Sequence, residues 1–158
     1  MFIPMLADLP LETKTVAFDK HDNLADMAAE VMDIVGARPF IPIGFSMGGM
    51  VAFELIRMNV TQLTGMVLLN SNCHADLPGR KTGRHAHLKF AQTQNIEKLI
   101  QQEYLSVYFS NPHCHEGEIV TTMAMQLGVE TFEAQLKVLA ERPDSFDVLT
   151  HFNQPLLI

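Results

Sequence analysis

Gly44-Phe45-Ser46-Met47-Gly48 is the stretch whose residue types and spacing best suit covalent chemistry. A serine with glycine two residues away on either side can stand at the crest of a tight turn, because neither Gly44 nor Gly48 carries a Cβ to block its closing. The chemistry would be nucleophilic: Ser46 attacks a carbonyl carbon once a base takes its proton. If the turn opens a helix, the Met47 backbone N–H and the positive end of the helix dipole face the same point and can steady an oxyanion. Gly49 would let that helix lie close to the preceding strand. A phosphate-binding loop would need Gly-Lys-Ser/Thr and a dinucleotide loop Gly-x-Gly-x-x-Gly, and neither is present.

An activating base has few candidates. His74 falls just beyond the strand that follows the serine, with Asp76 close to it in sequence. The two read either as a base with its orienting acid or, more plainly, as polar loop residues facing water. His85-Ala86-His87 and His113-Cys114-His115 are His-x-His pairs that Cys73 could join in a zinc site. They are not read as one, because residues 85–87 fall where a helix is expected and residues two apart on a helix face different ways. His21 and His151 read as surface residues. No metal or organic cofactor is expected.

The elements that must position Ser46 alternate along the chain. Thr13 to Phe18 is short, β-branched and bounded by charge, and reads as a strand. From Asn23 the apolar residues Leu24, Met27, Ala28, Val31, Ile34 and Val35 recur at helical spacing, with Asp22 or Asn23 to cap the start and Gly36 to close the end. Phe40 to Ile43 reads as a strand before the turn, Met50 to Met58 as a helix after it, and Leu63 to Leu69 as a strand buried on both faces. Such alternation predicts a parallel sheet with right-handed helical crossovers and helices on both faces. Ser71 to Arg84 reads as a loop, followed by helices over about 86–110, 116–128 and 130–141, with breaks at Asn111-Pro112 and Gly128. Arg142-Pro143-Asp144 ends the helical pattern, and Gln154 to Ile158 opens a new apolar run.

Composition narrows the classes of partner. The chain has 158 residues, 47% of them apolar and 18% charged, which is enough for a single domain with a real core. A formal charge of -7, without a Lys/Arg cluster, excludes nucleic acid and anionic membrane as expected partners. Two cysteines, Cys73 and Cys114, are too few for a disulfide framework and fit a reducing cytoplasm. Met1 to Asp8 has no basic n-region, so it does not read as a signal peptide, and no run approaches the roughly 20 apolar residues of a membrane span.

Pro42-Ile43-Gly44-Phe45-Ser46-Met47-Gly48-Gly49-Met50-Val51-Ala52 resembles the Gly-x-Ser-Met-Gly-Gly nucleophile elbow of the α/β-hydrolase superfamily, in its branch of small esterases and carbon–carbon-bond hydrolases. The resemblance sets Asp19 after the family's fourth strand, Met66-Val67-Leu68-Leu69 on its sixth, residues about 77–150 in its helical lid, and Gln154 to Ile158 on its seventh strand. It implies a partial α/β-hydrolase fold in one incomplete domain, 1–158. It further implies a serine hydrolase acting on a small ester, thioester or related acyl compound, with Ser46 as nucleophile and Met47 N–H as half of the oxyanion hole. The family's triad acid and histidine fall beyond Ile158, and its glycine-rich oxyanion loop precedes residue 1. The chain is therefore expected to be a fragment of a longer hydrolase, inactive alone, whose unpaired strand edges could support homo-oligomers. The competing expectation is a non-catalytic, hydrolase-like binding protein. The apolar lid residues, Tyr104, Tyr108, Met123 and Met125 among them, would pack on the core or form a flexible wall for an apolar substrate.

Overall fold

The computed structural model describes residues 10–158. The reading of Met1 to Asp8 as something other than a signal peptide lies outside those residues. Helix α1 (Leu24–Val35) begins where Asn23 accepts a hydrogen bond from the Asp26 amide at 2.9 Å. It ends at Gly36, whose φ of +63° suits a residue without a Cβ. Its apolar stripe buries Leu24, Met27 and Ala28 against Met50, Val51 and Leu55 of the next helix.

The sheet has three parallel strands in the order β1 (Ile43–Phe45), β2 (Met66–Leu69), β3 (Leu156–Leu157). Register sets Gly44 opposite Leu68 and Phe45 opposite Leu69, and Met66 pairs with Leu156 on the other side. A bridge from Phe40 to Leu63 carries the β1–β2 contact toward the strand starts. The β1–β2 crossover is helix α2 (Met47–Arg57), which turns Val51, Ala52, Phe53 and Leu55 inward, each at most 2% exposed. Val51 and Leu55 face α1, while Ala52 and Phe53 pack with Leu63, Met66 and Leu68. One helix therefore seals two clusters.

Between β2 and β3 lies a helical segment: α3 (Pro78–Gln94), α4 (Ile96–Leu99), a π-helical turn (Ile100–Tyr104), α5 (Leu105–Tyr108), α6 (His115–Glu141) and α7 (Phe146–Thr150). Asn95, at φ +106°, separates α3 from α4 and caps α4 by accepting the Lys98 amide at 2.8 Å. The expected break at Gly128 is present as a single non-helical residue, φ +78°, within α6. The segment has its own core of Ala91, Ile96, Leu99, Ile100 and Leu105. No helix among the described residues is long and apolar enough to cross a membrane.

Two elements differ from expectation. Among the described residues Thr13 to Phe18 joins no ladder and has no regular secondary structure, and the Phe18 and Asp19 carbonyls accept from Gln135 Nε2 (3.1 Å) and Thr131 Oγ1 (3.4 Å) of α6. β-branched residues favour a strand only where another strand lies alongside, and here side-chain donors satisfy the backbone instead. The second difference is that α3 starts at Pro78, inside the stretch expected to be loop. Proline suits the first helical position, where its missing N–H costs nothing, and tertiary pairing at Arg84 outweighs Gly79 and Gly83.

Because Phe53 is 1% exposed and packs with Leu63, Met66 and Leu68, Phe53→Ala should lose roughly 3–5 kcal/mol of unfolding free energy in a urea titration.

Candidate active site

Ser46 occupies the single-residue turn between β1 and α2, with φ +49° and ψ −112°. A non-glycine residue at positive φ costs about 1–3 kcal/mol, which surrounding contacts must offset. Three hydrogen bonds hold it: Ser46 N donates to Leu69 O (2.9 Å) at the end of β2, Gly49 N donates to Ser46 O (3.1 Å), and Ser71 Oγ donates to the same carbonyl (2.8 Å). The side chain takes no capping role toward the helix it precedes. Met47 N–H is among the first amides of α2, the group a helix start leaves without an intrahelical acceptor.

The glycines around this turn are not equivalent. A Cβ at Gly44 would sit 2.6 Å from the Gly49 Cα and N, and one at Gly49 would sit 2.3 Å from Ser71 Oγ. At Gly48 a Cβ would meet nothing within 4 Å. The steric demand expected of Gly44 and Gly48 falls on Gly44 and Gly49. Without a side chain at Gly49, Ser71 has room to reach the Ser46 carbonyl.

His74 and Asp76, read together in the sequence, are apart in function. His74 is exposed; its Nδ1 lies 3.1 Å from Asp144 Oδ2 and its ring stacks on Phe146 with centroids 5.8 Å apart. Asp144 is held below the usual carboxylate range, first by the Phe146 amide and then by His74. Asp76 instead is buried between two arginines: Arg84 Nε reaches Oδ2 at 2.8 Å and Arg142 Nη1 reaches Oδ1 at 2.9 Å. Burial alone would raise its pKa, but the guanidinium groups of Arg84 and then Arg142 outweigh it and hold the carboxyl below its ordinary value of 3.8. Arg142 also donates from Nε to the His74 carbonyl (2.9 Å) and from Nη1 to the Leu139 carbonyl. An acid so committed to two cations is not the partner of His74.

The other histidines are also placed. His85 bonds the Lys81 carbonyl at 2.8 Å from exposed α3, and His115 lies 3.7 Å from Glu118 on the surface. His113 is exposed and His151 bonds the Asp147 carbonyl at 2.7 Å. His21, expected on the surface, is half-buried beside Glu30 at 3.3 Å. His87 is half-buried and meets the Tyr104 hydroxyl at 2.9 Å. Among the described residues no three His, Cys, Asp or Glu side chains converge as a metal site would require.

A cleft of about 350 Å³ opens beside the turn, bounded by Phe45 and by apolar side chains of the helical segment, including Ile96, Ile100, Val120, Leu127 and Phe132. Phe45 is the residue immediately before Ser46, so the serine sits at the margin of an apolar chamber. A second cleft of about 290 Å³ lies by Val60, Leu63 and His151. It borders the far end of α2, about 15 Å along the helix from Ser46.

The stretch that holds β1, the Ser46 turn, α2 and β2 lies within residues 13–110, which the α/β-hydrolase fold family model matches. The chain belongs to the α/β-hydrolase family. Its backbone is similar to that of a thermophilic esterase from Thermogutta terrifontis solved with malate bound, with a TM-score of 0.71 and 25% sequence identity. The match covers 92% of this chain and 54% of that esterase chain, so this α/β-hydrolase chain spans about half the esterase's length. No curated protein sequence matches it.

Sequence reasoning missed Ser71, the partnership of Asp76 with Arg84 and Arg142, and the His87–Tyr104 contact. Ser71 had a positional signal, since it lies two residues past β2 at the level of the turn. The ion pairs had none, because Asp76 and Arg142 are 66 residues apart in the numbering and meet only through the fold.

Two predictions follow from these contacts. In urea unfolding, Gly44→Ala and Gly49→Ala should each lose roughly 1–3 kcal/mol through overpacking, whereas Gly48→Ala, with open space inside a helix, should be neutral or gain up to about 1 kcal/mol. Asp76→Asn leaves two arginines without their counter-charge and should lose roughly 3–5 kcal/mol at pH 7. Because the folded pKa of Asp76 lies below the unfolded one, its contribution is complete above about pH 4 and is lost as pH falls through the folded value. Denaturant titrations from pH 7 to 2 should therefore show the wild type losing stability below about pH 4 and the gap to Asp76→Asn narrowing there.

Proposed function

We propose that the protein is a serine hydrolase of the esterase type, acting on a small ester, thioester or related acyl compound. The observation that carries this reading is Ser46 itself: a non-glycine residue at φ +49°, braced by Leu69, Gly49 and Ser71 at the junction of strand and helix. In this reading Ser46 Oγ attacks the acyl carbon while a base accepts its proton. The carbonyl oxygen becomes an oxyanion steadied by Met47 N–H and the α2 dipole, and the alcohol or thiol leaves with a proton returned by that base. Water then releases the acid by the reverse sequence. Gly44 and Gly48 belong to the same elbow, and residues about 77–150 form a helical lid inserted in the part of the α/β-hydrolase domain that 1–158 supplies.

The likeness to an esterase supports the chemistry, and the neighbouring apolar cleft supports an acyl substrate. Since the chain spans about half the esterase's length, the proposed activity is that of the whole hydrolase in which this elbow works. A second reading, a hydrolase-like binding protein, is favoured by His74 and Asp76 being engaged with Asp144 and with two arginines.

A fluorophosphonate probe separates them. The 158-residue chain and the longest in-frame product of its gene would each be treated with probe and mapped by mass spectrometry, beside Ser46→Ala versions. Labelling at Ser46 that disappears in Ser46→Ala is the expected result in the longer product; absence of labelling in both proteins overturns the hydrolase reading.

A further inference from the structure

Four of the residues that line the apolar cleft beside Phe45 have polar side-chain groups: Tyr104, Tyr108, Thr131 and Gln135. Two of them are already committed. Thr131 Oγ1 donates to the Asp19 carbonyl and Gln135 Nε2 to the Phe18 carbonyl, which ties α6 to the stretch before α1. Tyr104 is different, because its hydroxyl meets a side chain that can either give or take a proton, His87 Nδ1 at 2.9 Å. Its ring is clamped edge-on between His87 and Phe132, with centroids at 5.2 and 6.2 Å.

The backbone around the cleft departs from regular helix on both sides. Tyr104 closes the π-helical turn Ile100–Tyr104, in which Leu105 N–H bonds the Ile100 carbonyl, and Gly128 breaks α6 on the facing wall. Single π turns inside helices are rare and recur at functional sites. Here the turn ends on the tyrosine that lines the apolar cleft and seats its hydroxyl on His87.

We propose that the Tyr104 hydroxyl, seated on His87, is the donor that fixes a carbonyl group within the acyl portion of the substrate. The proposal rests on the serine-hydrolase reading for the identity of that substrate. When His87 carries its proton on Nδ1, it donates to the phenol oxygen and leaves the phenol O–H free to donate to the ligand. Burial, followed by the nearness of Tyr108, pushes the Tyr104 pKa up to about 12, so the hydroxyl keeps its proton across the working range of pH. The cleft would then take acyl compounds with an apolar chain and a second carbonyl oxygen, and Tyr104 is a specificity-determining residue.

The test uses binding, so it does not depend on turnover. The 158-residue chain is titrated with octan-2-one and with 2-methyloct-1-ene, which has a methylene where the ketone has oxygen, each followed by displacement of an apolar fluorescent dye. Tyr104→Phe should weaken ketone binding roughly three- to tenfold, the value of one hydrogen bond, and leave alkene binding unchanged. His87→Leu should weaken the ketone alone, and His87→Gln, whose amide can still hold the hydroxyl, should restore it. Equal changes for both ligands, no change for the ketone in Tyr104→Phe or His87→Leu, or no saturable binding of either ligand would overturn the proposal. Ser46 plays no part in this readout, so failure of the hydrolase reading would appear only as failure of probe labelling.

Discussion

The Asp76 carboxylate is the point on which the upper half of this molecule depends. It lies a few residues past β2 and holds Arg84, from the helix that begins the segment between β2 and β3, and Arg142, from the residue that ends α6. The helix that opens the segment and the end of α6 are thus fixed beside the strand from which the segment departs. Charges this buried contribute less by mutual attraction than by the cost of separating them, since either arginine without the carboxylate would be a cation short of solvent. Such an arrangement selects one seating of the segment over others, and that segment walls the apolar cleft beside Phe45.

The strained serine depends on a second, smaller economy of space. Gly44 lies so close to the Gly49 backbone that it cannot carry a Cβ, and the room left at Gly49 is where Ser71 stands to bond the Ser46 carbonyl. The turn is therefore held from three directions: by the neighbouring strand through Leu69, by the helix through Gly49, and by the loop after β2 through Ser71. Backbone strain at one residue persists because the atoms around it leave no other arrangement.

Local signals reveal the parts of this fold that local physics decides. The period of Leu24 to Val35, the caps at Asn23 and Gly36, the apolar runs of β1 and β2 and the break at Gly128 depend on residues close in sequence, and each stands near its expected place. Thr13 to Phe18 fails because a strand needs a neighbour, which is not a property of its own residues. The start of α3 is misplaced because its glycines speak against a helix, while Arg84 answers to a carboxylate outside it. At the candidate site the serine was legible as a motif, whereas Ser71, Arg142 and the His87–Tyr104 contact arise from residues that only the folded chain brings together.

The π turn at Ile100–Tyr104 has a meaning for how this segment could have diversified. A π turn spends five residues on a loop of hydrogen bonding that an α-helix closes in four, so it is the structural trace of one additional residue in a helix. Loss of one residue between Ile96 and Leu105 would close that turn as ordinary α-helix, four residues doing the work of five, and would leave the helix beyond it in nearly the same rotational register. The side chains inside the turn, Tyr104 among them, would be re-aimed, while the hydrophobic contacts on either side kept their partners. A single codon gained or lost there thus changes which groups look into the cleft while leaving the serine, its glycines and the Asp76 clasp untouched.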